Sequence, residues 1–184
     1  MHDLTPPAAM EERLGEILAD VRDRMSTLER EVGDLGLIEA ERAAITVAER
    51  LCGAHGQRLG VQLRDGRQLR GLVRDSAAGW VILQEEGQLL ILAIGQLVRI
   101  TGLGRASKVA TKVDAARSLT SVLRRVAAQR ARVRIHLHKV AFDGKILALG
   151  ADYVELASAD GTAMVVPLTN WYLIEVWGGQ WDEN

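Results

Sequence analysis

The chain states one segment twice. The first copy runs from Gln57 to Gly102 (QRLGVQLRDGRQLRGLVRDSAAGWVILQEEGQLLILAIGQLVRITG), the second from Arg132 to Gly178 (RVRIHLHKVAFDGKILALGADYVELASADGTAMVVPLTNWYLIEVWG). Gly71 aligns with Gly144, Trp80 with Tyr153, Leu83 with Leu156 and Ala93-Ile94 with Pro167-Leu168. Val98-Arg99-Ile100-Thr101-Gly102 aligns with Ile174-Glu175-Val176-Trp177-Gly178. Each copy is too short to bury much surface alone, so the two are expected to pack together or to oligomerise.

Within a copy the period is that of strands. Leu59, Val61 and Leu63 alternate with Arg58, Gln62 and Arg64. Asp65-Gly66 is a tight-turn signal before a second strand, Gln68 to Arg74. Trp80 to Leu83 and the nearly all-apolar Leu89 to Ala93 give two more strands. Ile94-Gly95-Gln96 reads as one turn of tight helix and Leu97 to Thr101 as a fifth strand. Five short strands behind a helix predict a small closed barrel. In the second copy His138-Lys139-Val140 replaces the Asp65-Gly66 turn, so that hairpin is expected to differ in shape.

Three helices are expected outside the strands. Leu14, Leu18, Val21, Met25, Leu28, Val32 and Leu35 alternate four and three apart, a heptad seam that predicts a coiled coil and a homodimer through this helix. Gly33 to Gly36 interrupts it, and a second helix is expected over about 37–51, with Ile38, Ile45, Ala48, Leu51 and Cys52 on one side. A third is expected over about 107–129, with Val109, Val113, Ala116, Leu119, Val122, Leu123 and Val126 on one face. It is basic, and Lys108, Lys112, Arg117, Arg124 and Arg125 are the residues that would meet phosphates or an acidic partner.

The predicted class is therefore α+β, mainly β. The division is a frayed end at 1–9, a coiled coil at 10–35, helix plus barrel at 37–104, basic helix plus barrel at 105–178 and an acidic tail at 179–184.

A helix followed by a bent five-stranded barrel, with a "G-x-V" second strand and an apolar-x-apolar-x-Gly last strand, resembles the Sm-like fold, and each copy carries this pattern over about 70 residues. That resemblance implies ring assembly and single-stranded RNA binding. Its first motif, an Asp followed by an apolar residue, Met and Asn, is matched here only by Asp75 in Asp75-Ser76-Ala77-Ala78-Gly79-Trp80. Its second, ending in Arg-Gly, is displaced to Arg99-Ile100-Thr101-Gly102 and reads Glu175-Val176-Trp177-Gly178 in the second copy. The departures fall on the RNA-reading residues. The chain is also similar to uncharacterised actinobacterial proteins of this length labelled transcriptional regulators.

No Gly-x-Ser-x-Gly, phosphate-binding loop or dinucleotide fingerprint occurs, so no enzyme and no cofactor is expected. His136 and His138 sit two apart in a strand and would share a face, but the cations Arg134 and Lys139 flank them, and no metal is expected. Cys52 is expected to be a small core residue, and a single cysteine with no signal-like start points to the cytoplasm. No run approaches membrane-spanning length, and the net charge of −1 gives no overall pull toward nucleic acid or membrane. Trp171, Tyr172 and Trp177 are candidate protein-binding aromatics. The expected role is a non-catalytic, dimeric interaction scaffold with an as yet unidentified protein partner. The alternative is a nucleic-acid-binding regulator using the basic helix and the barrel faces.

Overall fold

The computed structural model describes residues 19–26, 43–104 and 117–178. The chain divides into two compact units, Met1–Ile45 and Thr46–Asn184. In the first, residues 19–26 are helical, with Arg24 paired to Asp20 at 3.0 Å one turn away. Of the predicted heptad seam, Val21 and Met25 are described and both are exposed. Leu14, Leu18, Leu28, Val32 and Leu35 lie outside the described residues. Among the described residues no helix is long and apolar enough to cross a membrane.

The second unit is mainly β. It contains α1 (Val47–Cys52), β1 (Arg58–Leu63), β2 (Gln68–Ser76), β3 (Trp80–Glu85), β4 (Gln88–Ala93), a 3-10 turn (Ile94–Gln96) and β5 (Leu97–Thr101). The second copy follows as α2 (Leu119–Ala128), β6 (Arg132–Leu137), β7 (Val140–Leu149), β8 (Tyr153–Ala157), β9 (Ala163–Pro167) and β10 (Trp171–Trp177). All ten strands form one antiparallel sheet in the order β5-β1-β2-β3-β4-β10-β6-β7-β8-β9. The expected closed barrels are not there. The sheet is open, because β4 is paired with β10 of the other copy and leaves β5 and β9 as edges.

The repeat is present in the pairing register. Leu59 faces Gly71 and Val133 faces Gly144. The β2·β3 ladder slips between Val73 and Asp75, and β7·β8 slips at the matching place, between Ile146 and Ala148. At this crossing a Cβ on Gly71 would stand 2.8 Å from Gln84 O, and one on Gly144 would stand 2.5 Å from Ala157 O. Only glycine lets the two backbones approach so closely.

The register corrects the alignment of the last strand. Val61 faces Ile100 and Ile135 faces Ile174, so Ile100 corresponds to Ile174, Arg99 to Leu173 and Thr101 to Glu175. The matched glycines Gly102 and Gly178 mislead because β10 runs two residues further than β5. It has neighbours on both sides to pair with, β4 and β6.

The first hairpins differ as expected. Leu137 faces Val140 across a two-residue loop with His138 at φ 44°. In the first copy the Leu63 amide donates to Arg67 O across the longer turn holding Gly66 at φ 91°.

Two apolar clusters fill the unit. Leu51, Leu59, Val61, Leu63, Val73, Val81, Leu83, Leu90 and Leu92 build one, joined by Leu173 from the second copy. Val122, Leu123, Val126, Val133, Ile135, Val154, Leu156, Val166, Ile174 and Val176 build the other, joined by Trp80, Ile82, Leu89 and Ile91 from the first copy. Strands β3 and β4 are thus buried on both faces, which is why they read as continuous apolar runs.

The helices are shorter than predicted. Thr46 caps α1 through a capping box with Glu49, which starts a helix where the periodicity predicted an interior; Ile45 is exposed rather than on a buried side. Leu51 of that side is fully buried. Ser118 caps α2, whose Val122, Leu123 and Val126 are buried as expected, with Leu119 packed against their cluster. Ile38, Val109, Val113 and Ala116 lie outside the described residues.

Candidate functional site at the seam between the repeats

Where β4 meets β10 the sheet carries a chain of polar side chains from both copies. Arg67, on the first hairpin turn, is held by Asp65: its Nε lies 3.0 Å from one carboxylate oxygen and its backbone N–H donates to the other at 3.0 Å. Its Nη1 reaches toward Glu175 on β10, 3.7 Å away. Glu175 also accepts from Gln88 of β4 at 3.1 Å and from His136 Nε2 of β6 at 2.9 Å. A carboxylate only accepts, so the neutral imidazole carries its proton on Nε2. Arg67 lies 5.8 Å from the centre of the Tyr172 ring, and the centre of the His136 ring lies 5.7 Å from it, tilted by 51°.

His136 is buried, and burial, followed by the Arg67 charge, holds its pKa below the ordinary histidine value against the opposing pull of Glu175. Tyr172 is pushed up by burial. Among the described residues no buried side-chain nitrogen or oxygen lacks a partner. The expected His136–His138 pair on one face is corrected here. His136 points into the seam, while His138 sits in the turn and is exposed, because the strand ends at Leu137.

Beside this chain a cleft of about 710 Å³ opens, lined by Arg64, Asp65, Gln96, His138, Lys139, Asn170 and Tyr172. Sequence reasoning missed it. The divergence of the two first hairpins was the available signal, and it marks the cleft's two walls.

Arg117 precedes the Ser118 cap and forms a two-pronged ion pair with Asp75, one arm at 3.0 Å. Its guanidinium also lies 5.6 Å from the Trp80 ring centre, and its carbonyl accepts from Trp80 Nε1 at 3.2 Å. Arg124 is exposed and Arg125 half-buried; Lys108 and Lys112 lie outside the described residues. So Arg117 faces the first copy's β2–β3 bend, and Asp75, the residue that matched the Sm-like motif, is its partner.

Of the aromatics, Tyr172 is buried and Trp171 and Trp177 are half-buried, with Arg134 over Trp177 at 5.9 Å. Arg134 is in turn bound by Asp143 at 2.8 Å. Cys52 is half-buried and accepts from the Ser76 hydroxyl at 3.3 Å, at the wall of a cavity of about 130 Å³ that also borders His55, Asp75 and Arg117. Among the described residues no group of three or more His, Cys, Asp or Glu side chains is arranged to hold a metal.

Compared with known proteins, the chain matches no family model and no curated sequence.

Proposed function

We propose that this protein is a non-catalytic scaffold that associates with itself, through the N-terminal heptad helix and through the sheet, and presents its paired repeats to a protein partner. One observation carries the reading: the seam between β4 and β10 is an interface between two copies of one repeat, and its two halves recur at the sheet edges, with no strand on their outer side among the described residues. Edge β9 corresponds to β4, with Val165 at the position of Ile91. Edge β5 corresponds to β10, with Ile100 at the position of Ile174. Val165 is 62% exposed where Ile91 is fully buried. An edge strand with an outward apolar residue is a template for another chain. Setting β9 of one molecule against β5 of the next repeats the seam head to tail, with Val165 opposite Ile100, and a heterologous contact of this kind builds rings or open chains. The Sm-like resemblance points the same way.

Light scattering on the full chain tests this. The wild type is expected to run at a multiple of 20.1 kDa, Val165→Lys to fall to a smaller assembly, and Val165→Lys combined with Val21→Asp and Leu28→Asp to fall to the monomer. A monomeric wild type overturns the scaffold reading. An unchanged mass in Val165→Lys overturns the edge contact alone.

The nucleic-acid alternative draws on the exposed Arg124, with Arg125, Lys108 and Lys112 on the same predicted helix; Arg117 is engaged by Asp75. A gel shift at low salt that weakens steeply with added salt would favour it over the scaffold.

A further inference from the structure

We infer that the cleft between the two first hairpins is a binding site for a small phosphate ester, held between the repeats by Arg64 on one side and Lys139 on the other. The cleft is built by the repeat itself. The registers Leu63 with Leu97 and Leu137 with Trp171 make Arg64 the counterpart of His138, Asp65 of Lys139 and Gln96 of Asn170. All six line the cleft, so three positions of the repeat meet there from both sides because the copies stand side by side in the sheet.

Divergence between the copies sets the charge of this space. Lys139 stands where the first copy has Asp65, so the acid of one wall faces a base on the other. Asp65 is already bound by Arg67 within its own turn. Arg64 and Lys139 are left with no carboxylate partner among the described residues, and His138 stands beside Lys139. Two cations on opposing turns suit a dianion that bridges them, and a phosphate monoester presents three acceptor oxygens to an Arg and a Lys. The Gln96 and Asn170 amides, each able to donate and accept, flank the cations and suit the hydroxyl or amide groups of the esterified part. A volume of about 710 Å³ lies within the ordinary range for small-molecule clefts.

Binding is read by titration calorimetry on the full chain at low salt, with AMP, adenosine, inorganic phosphate and a thymidine oligonucleotide as probes. AMP and phosphate are expected to bind and adenosine not to. Arg64→Gln and Lys139→Gln are each expected to weaken AMP by about tenfold or more, the loss of one charge-assisted hydrogen bond. Equal binding of AMP and adenosine, or no binding of either phosphate probe, overturns the site without recourse to any variant. AMP binding unchanged in both variants places the ligand elsewhere and overturns the assignment. An oligonucleotide that binds more tightly per phosphate than AMP overturns the small-molecule assignment and puts the phosphate in a strand. The outcome does not depend on the oligomeric state, so it stands or falls separately from the scaffold reading.

Discussion

Ile91 of β4 stands directly opposite Ile174 of β10, and both are fully buried. Ile91 comes from the first copy, yet it packs in the cluster built on α2, β6 and β8 of the second. The two copies therefore share their cores across the sheet.

That sharing makes Ile91→Ala costly to both copies. The substitution is expected to destabilise the fold by about 2–5 kcal/mol, the usual loss for emptying a buried isoleucine site. Urea unfolding followed by tryptophan fluorescence and by far-ultraviolet dichroism should give one coincident transition in wild type and variant. Two separated transitions would show that the copies fold independently.

Gly144→Ala places a methyl against the Ala157 carbonyl, and Gly71→Ala does the same against Gln84 O. Both are expected to destabilise by more than about 1 kcal/mol, whereas Gly79→Ala, whose Cβ would meet open space, should stay within about 0.5 kcal/mol of wild type. Thermal melts of the three variants decide it, and a harmless Gly144→Ala would refute the close approach.

His136 sets a pH dependence. Its folded pKa lies below 6.5, so the unfolded chain binds a proton first as pH falls. Stability from this group is intact above the ordinary histidine value and declines as pH drops below it toward the folded pKa. Unfolding midpoints at pH 7.5 and 5.5 should fall further in wild type than in His136→Gln, which keeps a donor for Glu175 but does not titrate there. Equal falls would remove His136 as the source.

Thr46 donates its backbone N–H to the Glu49 carboxylate at 2.7 Å and receives the Glu49 amide on its hydroxyl at 3.2 Å. The first of these is the main reason the Glu49 carboxyl sits below its ordinary pKa. Thr46→Ala is expected to lower stability by about 1 kcal/mol. It should also raise the Glu49 pKa in a carbon-13 NMR titration, because it removes the hydroxyl's share of that stabilisation. A Glu49 titration curve that does not move would count against the capping box.

Asp75 and Arg117 should be energetically coupled. A cycle of Asp75→Asn, Arg117→Gln and the double variant is expected to give an interaction energy of about 0.5–3 kcal/mol. Additive losses would mean that the pair contributes nothing beyond its separate contacts.

The sequence by itself determined the repeat, its strands, the 3-10 turn at Ile94–Gln96 and the buried face of α2. These rest on local chemistry: alternation in Leu59-Gly60-Val61-Gln62-Leu63, the Asp65-Gly66 turn, and the spacing of Val122, Leu123 and Val126. Even the two-sided burial of β4 was written in Leu89-Leu90-Ile91-Leu92, against the weaker Ala163-Met164-Val165-Val166 of β9. What those apolar faces meet was not written. Only the tertiary structure decided that β4 pairs with β10 rather than closing a barrel on β5, because pairing is a competition between segments far apart in the chain. Local pattern says that a strand has two faces to bury, and is silent on its neighbour. The same choice moved the alignment of the last strand, drew His136 into the seam, gave Arg117 to Asp75 and set the two divergent hairpins face to face around one cleft.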